Sequence, residues 1–154
     1  MQSQLRLAAR RDVEALVCLR AALWPDTPKR EHETEIRKII AGRPCRTLPL
    51  VLIVAEVQKT LAGFVEVGLR SHADGCDPIR PVGFVEGWYV LARHRSKGMG
   101  RALIVAAENW SREQGCSELA SDTWLNNEAS QRAHEALGFE VVDRCVNYRK
   151  ALRR

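Results

Sequence analysis

Aromatic side chains are scarce in this chain, which contains three Phe, four Trp and two Tyr among its 154 residues. The formal net charge of +5 would suit a nucleic acid, but the basic residues are scattered and no aromatic residues alternate with them. Nucleic-acid binders combine clustered basic residues with aromatic surfaces on which bases stack. We therefore expect no nucleic-acid partner.

Long apolar runs are also missing, so the sequence predicts no membrane-spanning helix. The N-terminal residues Met1 to Gln4 do not have the pattern of a signal peptide. The five cysteines are odd in number and include no Cys-x-x-Cys pair, which indicates neither a disulfide framework nor a zinc site. These features favour a cytoplasmic protein without a bound metal, and the length favours a single domain over residues 1–154.

The most informative segment is residues 95–101, which read Arg-Ser-Lys-Gly-Met-Gly-Arg. An apolar run precedes it at residues 84–91, and a helical pattern follows at residues 101–114. Glycines let the backbone approach a ligand closely, and the first N–H groups of a helix have no partner within that helix. A strand, a basic turn and a helix in this order predict an anion site, most often for phosphate. The segment is neither a Walker loop nor a complete dinucleotide fingerprint.

The same turn matches the main motif of an enzyme superfamily, Arg/Gln-x-x-Gly-x-Gly/Ala, at Arg95, Gly98 and Gly100. A second element, Asn-x-x-x-x-x-x-aromatic-x-x-x-Gly-Phe, is matched at Asn127, His134, Gly138 and Phe139, with His134 in place of the usual tyrosine. On these motifs the sequence resembles the GNAT superfamily of acyl-CoA-dependent N-acetyltransferases. The resemblance implies an α/β (α+β) GNAT fold with a mixed central β-sheet flanked by helices, and acetyl-CoA as cosubstrate.

Hydrophobic periodicity and turn residues predict the element order β-α-α-β-β-β-α-β-α-β-β. The predicted segments are residues 4–8, 12 to the break at Pro25, 29–41, 50–57, 61–69, 82–91, 101–114, 117–123, a short helix from 126 or 127, and a final hairpin of 140–142 and 146–150. Alternation along the strand 82–91 predicts that Phe84, Glu86, Trp88 and Val90 share one face.

The resemblance also implies where acetyl-CoA binds. Backbone groups of Trp88, Tyr89 and Val90 would bind the pantetheine arm, and the N–H of Val90 would donate to the thioester oxygen. The pyrophosphate would lie on the turn formed by Arg95, Ser96, Lys97, Gly98, Met99, Gly100 and Arg101. Asn127 matches a further CoA-site position but could serve only as a helix N-cap. His134 is expected to pack near the CoA thiol rather than donate a proton, and the Tyr89 side chain is expected in the core.

Two carboxylates interrupt apolar strands. Glu86 lies in the middle of the strand 82–91, and Asp122 lies at the end of the strand 117–123. A carboxylate in an apolar strand is costly unless it is paired. In the implied fold these strands are neighbours that separate at the acetyl group, where Glu86 could hold a cationic acceptor and take its proton through a water. Glu86 could instead only form a salt bridge with an arginine.

A narrower resemblance, to aminoglycoside 6'-N-acetyltransferases, covers nearly the whole chain. The matching residues are Leu23-Trp24-Pro25, Gly75-Cys76-Asp77, Val85-Glu86-Gly87, Ala120-Ser121-Asp122-Thr123, Ser130-Gln131, His134, Ala136-Leu137-Gly138-Phe139-Glu140 and Tyr148-Arg149-Lys150. It implies a homodimer and acceptor-site roles for Trp24, Glu86, Asp122 and Asp143. An aromatic face with converging carboxylates suits a polycation. Trp24 could instead simply fill the end of a helix.

Catalytic roles are predicted for Glu86, Asp122 and Tyr148, although Tyr148 could equally belong to the core or the hairpin. Glu66, Asp74 and Asp77 could add negative charge, but a solvated loop is the simpler interpretation of each. The expected reaction is direct acetyl transfer to an aminoglycoside, without a covalent acyl-enzyme. Two other functions stay open, because one fold hosts many acceptors. They are an N-acetyltransferase acting on a polyamine or a protein amino group, and a non-catalytic acyl-CoA-binding module.

Overall fold

The computed structural model describes residues 3–153; Met1 and Gln2, which the N-terminal prediction includes, and Arg154 lie outside the described residues. The chain divides into two compact units, the first ending at Asp122 and the second beginning at Thr123. The elements of the first unit are β1 (Gln4–Leu7), α1 (Val13–Leu23), α2 (Lys29–Ile40), β2 (Leu50–Val57), β3 (Thr60–Arg70), β4 (Val82–Val90), α3 (Met99–Glu113) and β5 (Leu119–Ser121), and the second unit contains α4 (Glu128–Ala136). Short 3-10 helices at Arg10–Asp12 and Ala92–His94 precede α1 and α3.

The five strands form one mixed sheet in the order β1-β2-β3-β4-β5. Neighbours among the first four strands are antiparallel, and β5 lies parallel to β4. Gln58 and Lys59 connect β2 to β3, and both have positive φ angles, of 49° and 63°. Two successive left-handed residues match the twist of a β-hairpin, so the chain reverses here without a glycine.

The hydrophobic core covers both faces of the sheet. On one face α1 and α2 pack against β2 and β3, with Leu16, Ile36 and Phe64 fully buried. On the other face lies α3, because a Cβ at Gly63 would contact Leu103 of α3, and neighbouring strand residues point to opposite faces. Each large apolar side chain buried in this way contributes roughly 1.5–3 kcal/mol. Within residues 3–153, every helix is too short or too polar to cross a bilayer.

A β-bulge in β4 sets the geometry of the candidate site. Glu66 of β3 pairs with Gly87, whereas the next residue, Val67, pairs with Val85. Glu86 is therefore the extra residue of β4 and has no counterpart in this register. Bulges bend a strand and re-aim its side chains, and they are frequent beside active sites.

The bulge changes which side chains share a face of β4. Beyond it, Trp88 faces α3, because a Cβ at Gly100 would lie 2.9 Å from the Cζ2 atom of Trp88. Gly87 faces α1, because a Cβ there would collide with Trp24. Glu86 points to the α1 side as well, toward the arginines described below. The predicted sharing of one face by Glu86 and Trp88 is wrong, because strict alternation fails at the extra residue.

The C-terminal segment differs from the prediction. The hairpin expected at residues 140–142 and 146–150 is absent, since residues 139–153 contain no strand. Val141, Val142 and Val146 are each more than half exposed. Alternating β-branched residues suit a pleated, half-buried surface, but a strand also needs a partner edge to complete its backbone hydrogen bonds.

Candidate active site

The glycine turn lies between β4 and α3, as the sequence predicts. Gly98, directly before α3, has a left-handed φ of 81°, and beyond its chain neighbours no atom of residues 3–153 lies within 4 Å of the position a Cβ would take. Ser96 is also left-handed, with φ of 57°, which is uncommon for a residue with a side chain. Such residues turn successive N–H groups toward one point, where the helix dipole adds positive potential. The turn is therefore an open cradle that fits the pyrophosphate of a CoA molecule.

The first turn of α3 supplies further donors. Ala102 N donates to Gly98 O at 3.0 Å, so the N–H groups of Met99 and Gly100 precede the helical hydrogen-bond ladder. N–H groups in this position point out of the helix end toward an anion. We therefore expect the backbone to provide most of the directional contacts of this cradle.

The basic side chains of the turn hold it in shape. Arg95 Nε donates to Val90 O at 2.8 Å, and the Arg95 guanidinium lies 5.4 Å from the centre of the Tyr89 ring. Lys97 Nζ donates to Arg93 O at 2.9 Å. Tyr89 also packs against the core between α1 and α2, in agreement with its expected core role. These contacts fix the turn to the end of β4, while the positive charges still favour an anion nearby.

An open edge of β4 adjoins the turn. β5 pairs with β4 only from Gly83 to Val85, whereas β4 continues to Val90. Among the described residues, no strand pairs with the β5 side of β4 beyond Val85. The predicted separation of two neighbouring parallel strands is therefore present. Backbone groups of Trp88 and Tyr89 lie along this edge.

Glu86 lies between two arginines. Arg70 donates to both of its carboxylate oxygens, from Nε at 2.9 Å and from Nη2 at 2.6 Å, and Arg46 Nη1 donates to Oε1 at 2.8 Å. Burial opposes ionisation of Glu86, but these hydrogen bonds outweigh it, so the pKa of Glu86 lies below its ordinary value. The salt bridge that the sequence left open as an alternative is therefore present, and Glu86 is ionised at neutral pH.

Asp122 follows β5 directly and is exposed. The last pair between β4 and β5 is Val85 with Ser121, so Asp122 lies one residue beyond the pairing, level with Glu86. The pKa of Arg70 is raised mainly by its hydrogen bonds to Glu86, and the negative charge of Asp122 adds a smaller increase. The two carboxylates predicted to converge therefore share one arginine as an electrostatic partner.

Trp24 forms the C-cap of α1, and its backbone N–H donates to Arg20 O at 2.8 Å. The indole lies directly on β4 because residue 87 is glycine and leaves room for it. His32 stacks against the ring with centroids 6.3 Å apart, and the Arg20 guanidinium lies 4.9 Å from the ring centre. Trp24 thus ends the helix and also lies beside Glu86, so its two interpretations are compatible.

A buried ion pair beside Trp24 was missed by sequence reasoning. Glu66, interpreted there as a solvated residue, lies within β3 and is 5% exposed, and Arg20 of α1 is 4% exposed. Arg20 Nε lies 3.2 Å from Glu66 Oε2, yet neither atom makes an aligned hydrogen bond within residues 3–153. Arg20 Nη2 donates to Glu35 at 2.8 Å. The overlooked signal is a carboxylate inside an apolar strand, the same signal that identified Glu86.

The titration of Glu66 should make stability depend on pH. Burial raises the pKa of Glu66 from 4.5 to about 7, and the opposing attraction of Arg20 is smaller. At pH values between these two pKa values, the folded protein keeps a proton on Glu66 that the unfolded chain has released. Binding this proton stabilises the folded protein. The stabilisation is fully present below the unfolded pKa of 4.5 and is lost as the pH rises through about 7.

We therefore expect the free energy of unfolding to fall between about pH 5 and pH 8, relative to a Glu66→Gln variant that cannot titrate. The expected difference is on the order of 3 kcal/mol. Urea denaturation of both proteins across this range measures it. Stability curves that run parallel for the two proteins would show that Glu66 does not titrate in this window.

The second unit contains two predicted CoA-site residues. Asn127 is the N-cap of α4, and its Oδ1 accepts from Ser130 N at 3.1 Å; the capping role is therefore correct. His134 Nδ1 donates to Ser130 O at 2.7 Å, and its ring meets that of Phe139 edge-on with centroids 5.2 Å apart. Both side chains thus stabilise α4 and the turn that follows it.

Two further predicted residues lie in the extended segment after α4. Tyr148 is 92% exposed, so the core interpretation is wrong, since the segment around it forms no hairpin that would bury the ring. Asp143 Oδ1 accepts from Arg144 N at 2.6 Å. Their predicted roles as acid and as acceptor-site residue stay predictions.

Two features define the class of this protein. Two parallel strands of a mixed sheet separate, and a left-handed glycine turn leads from the longer of them, β4, into α3. Together they are typical of an acyl-CoA-dependent N-acetyltransferase. The model of the acetyltransferase (GNAT) family matches residues 14–139, and the chain belongs to this family. The resemblance seen in the two sequence motifs and the fold it implied are both confirmed.

Similar proteins are aminoglycoside acetyltransferases. The chain is 41% identical over 141 residues to aminoglycoside N(6')-acetyltransferase type 1 of Klebsiella aerogenes, covering 92% of this chain and 91% of that protein. Identity to the Serratia marcescens enzyme of the same name is 41% over 142 residues, covering 92% and 94%. The solved structure of AAC(6')-Iy with the bisubstrate analogue CoA-S-monomethyl-acetylneamine matches with a TM-score of 0.88 and 33% identity, over 99% of this chain and 100% of that one.

Proposed function

We propose that this protein transfers the acetyl group of acetyl-CoA to the 6'-amine of aminoglycosides, and thereby confers resistance to them. The observation that carries the proposal is the position of three side chains on β4 and β5: Trp24 packs on β4 beside Glu86, and Asp122 lies level with Glu86 where β5 separates from β4. Aminoglycosides are polycations, and an aromatic face beside carboxylates attracts such molecules. The names of the relatives, and the neamine part of the analogue bound to AAC(6')-Iy, support the same substrate class.

In this proposal the pyrophosphate lies on the N–H groups of the turn, and the pantetheine arm lies along the open edge of β4. The N–H of Val90 donates to the thioester oxygen and stabilises the negative charge that develops as the amine attacks the carbonyl carbon. The amine gives a proton through a water to Glu86, the carbon–nitrogen bond forms and the carbon–sulfur bond breaks. The thiolate takes a proton from Tyr148, the proposed donor, which solvent then reprotonates. From the resemblance we also propose CoA-site roles for Asn127 and His134 and an acceptor-site role for Asp143.

We also propose that residues 1–154 act as one domain within a cytoplasmic homodimer. The free cysteines suit a reducing compartment. Val141, Val142, Val146 and Leu152 are exposed, and such a concentration of apolar side chains is typical of a surface covered by another chain. Sedimentation equilibrium measures the oligomeric state directly, and a monomer at micromolar concentration would refute the dimer.

Turnover separates this function from its alternatives. A thiol-release assay would compare aminoglycosides that carry a 6'-amine, analogues with a 6'-hydroxyl, polyamines and peptides. We expect turnover only with the first group, and NMR of the product should place the acetyl group on the 6'-nitrogen. Turnover with polyamines or peptides alone would favour those acceptors, and acetyl-CoA binding without turnover would favour a non-catalytic module.

The two carboxylates should contribute differently to the reaction. Asp122→Asn should raise the aminoglycoside KM by roughly tenfold with a smaller change in kcat, because one charge-assisted hydrogen bond to the substrate is weakened. Glu86→Gln should lower kcat as well, since Glu86 lies nearer the amine that must lose a proton. Steady-state kinetics with kanamycin A measures both effects.

The matched control is Glu113→Gln at the end of α3, which removes the same charge from an exposed position away from β4. We expect its kinetic constants to stay within twofold of the wild type, a change that falls inside the usual range for exposed positions. None of the three substitutions should alter the affinity for acetyl-CoA. If Asp122→Asn and Glu86→Gln both keep the wild-type kcat/KM, the carboxylate site is not where the acceptor binds.

A further inference from the structure

We propose that Arg70 occupies the position of a substrate ammonium group in the free protein, and that an aminoglycoside must displace it in order to bind. This inference rests on the proposed function and concerns the acceptor side of that site. Arg70 would then determine how strongly, and how selectively, polycations bind.

The carboxylate of Glu86, proposed to bind the acceptor, already holds a cation, the guanidinium of Arg70. Arg70 presents two parallel donors to the two oxygens of Glu86, at 2.9 and 2.6 Å. Its guanidinium also stacks on Phe84, with Cζ 3.4 Å from the ring centre. A carboxylate on one side and an aromatic face on the other form the kind of site that attracts an alkyl ammonium group. In this protein an internal side chain fills it.

Little capacity is left on Glu86 while Arg70 stays. Its Oε1 accepts from Arg46 and Arg70, and its Oε2 accepts from Arg70. A carboxylate offers about four acceptor positions, so three are in use. The charge on Glu86 itself is already balanced, because both Arg46 and Arg70 donate to it. An incoming ammonium group therefore gains a strong contact with Glu86 only if an arginine leaves.

Arg70 is the arginine that another cation can replace, because both of its hydrogen bonds within residues 3–153 go to Glu86, whereas Arg46 is also bonded to the backbone. Arg46 is held by Glu86 and also by the backbone carbonyl of Leu69, and its side chain is 24% exposed. The Arg70 side chain is 40% exposed, and Glu86 is its ion-pair partner. Arg70 is the last residue of β3, so its side chain can swing toward solvent without moving the sheet.

The exchange favours substrates with several charges. Replacing one cation on Glu86 by another changes the electrostatic energy of that pair very little. A substrate with a single ammonium group therefore gains little from the exchange. A polycation can in addition place a second ammonium group near Asp122, whose charge no longer faces Arg70. Arg70 is in this sense a specificity-determining residue that selects polycationic acceptors.

The test is calorimetric titration of kanamycin A into the protein saturated with CoA. Arg70→Met keeps an apolar stem over Phe84 but removes the competing charge, and we expect its Kd for kanamycin A to be about tenfold lower than the wild-type Kd. The Kd for CoA should not change. Arg112→Met is the matched control, because Arg112 also forms an ion pair, with Glu108 on α3, and is exposed. Its Kd should stay within twofold of the wild type.

A double variant shows whether Arg70 acts through Glu86. In a Glu86→Gln background the substitution Arg70→Met should lower the Kd by clearly less than tenfold, because only the weaker interaction of Arg70 with Asp122 is left to release. An unchanged or higher Kd for Arg70→Met would overturn the inference, as would an equal decrease in the Glu86→Gln background. If the wild type acetylates kanamycin A but Arg70→Met binds it no better, only this inference fails. If neither protein binds any aminoglycoside, the proposed function fails with it.

Discussion

Replacing Gly98 with valine should lower the affinity for acetyl-CoA by about a hundredfold or more. The position has a left-handed φ of 81°, and in the described part of the chain only the sequence neighbours of Gly98 lie near the place a Cβ would take. A valine side chain would project into the cradle that the pyrophosphate is proposed to fill, and it would also disfavour the left-handed backbone that aims the N–H groups. Losing two hydrogen bonds to a charged group corresponds to roughly this factor. Calorimetry with acetyl-CoA measures it.

Gly115 provides a matched control for the backbone strain. It follows α3 at its other end, has φ of 85° and also has no atom within 4 Å of a Cβ position. Valine at either glycine should reduce stability by about 1–2 kcal/mol, the typical cost of a left-handed conformation for a residue with a side chain. Only Gly98→Val should lose acetyl-CoA affinity. Equal affinities for the two variants would show that the cradle does not bind the cosubstrate.

Replacing Arg20 with methionine should destabilise the protein by about 3–5 kcal/mol at pH 8. The substitution leaves the Glu66 carboxylate buried in β3 without its cation, and breaking a buried ion pair on one side is far more costly than removing both partners. The exposed pair of Arg37 and Glu33 provides a comparison. Arg37→Ala should cost less than about 1 kcal/mol, because water already solvates both charges. Urea denaturation gives both values.

The double variant Arg20→Met with Glu66→Leu should recover most of the stability lost in Arg20→Met. Apolar residues of similar volume carry no desolvation penalty, so a buried ion pair can often be replaced without loss. Simple additivity of the two single substitutions would mean that Arg20 and Glu66 do not interact energetically.

Most of the first unit follows from local patterns. Each predicted strand and helix between residues 4 and 114 is present within a few residues of its expected bounds, because apolar periodicity, prolines and glycines act over short stretches of chain. The glycine turn is equally local: a left-handed Gly98 and the start of α3 need only the sequence 95–101. The hairpin expected near the C-terminus fails because strand formation depends on a partner edge, which local propensity does not supply.

The sequence by itself determined the family and the order of elements in the first unit, and it predicted the CoA turn and the acceptor-site roles of Trp24, Glu86 and Asp122. Only the tertiary structure decided which way these side chains point and which residues they pair with. The bulge at Glu86 arises from a register between two strands, and the pairing of Glu86 with Arg46 and Arg70 joins residues far apart in the chain. The burial of Glu66 against Arg20 has the same origin. Such contacts depend on which segments pack together in space, and the periodicity of side chains along the chain does not predict them.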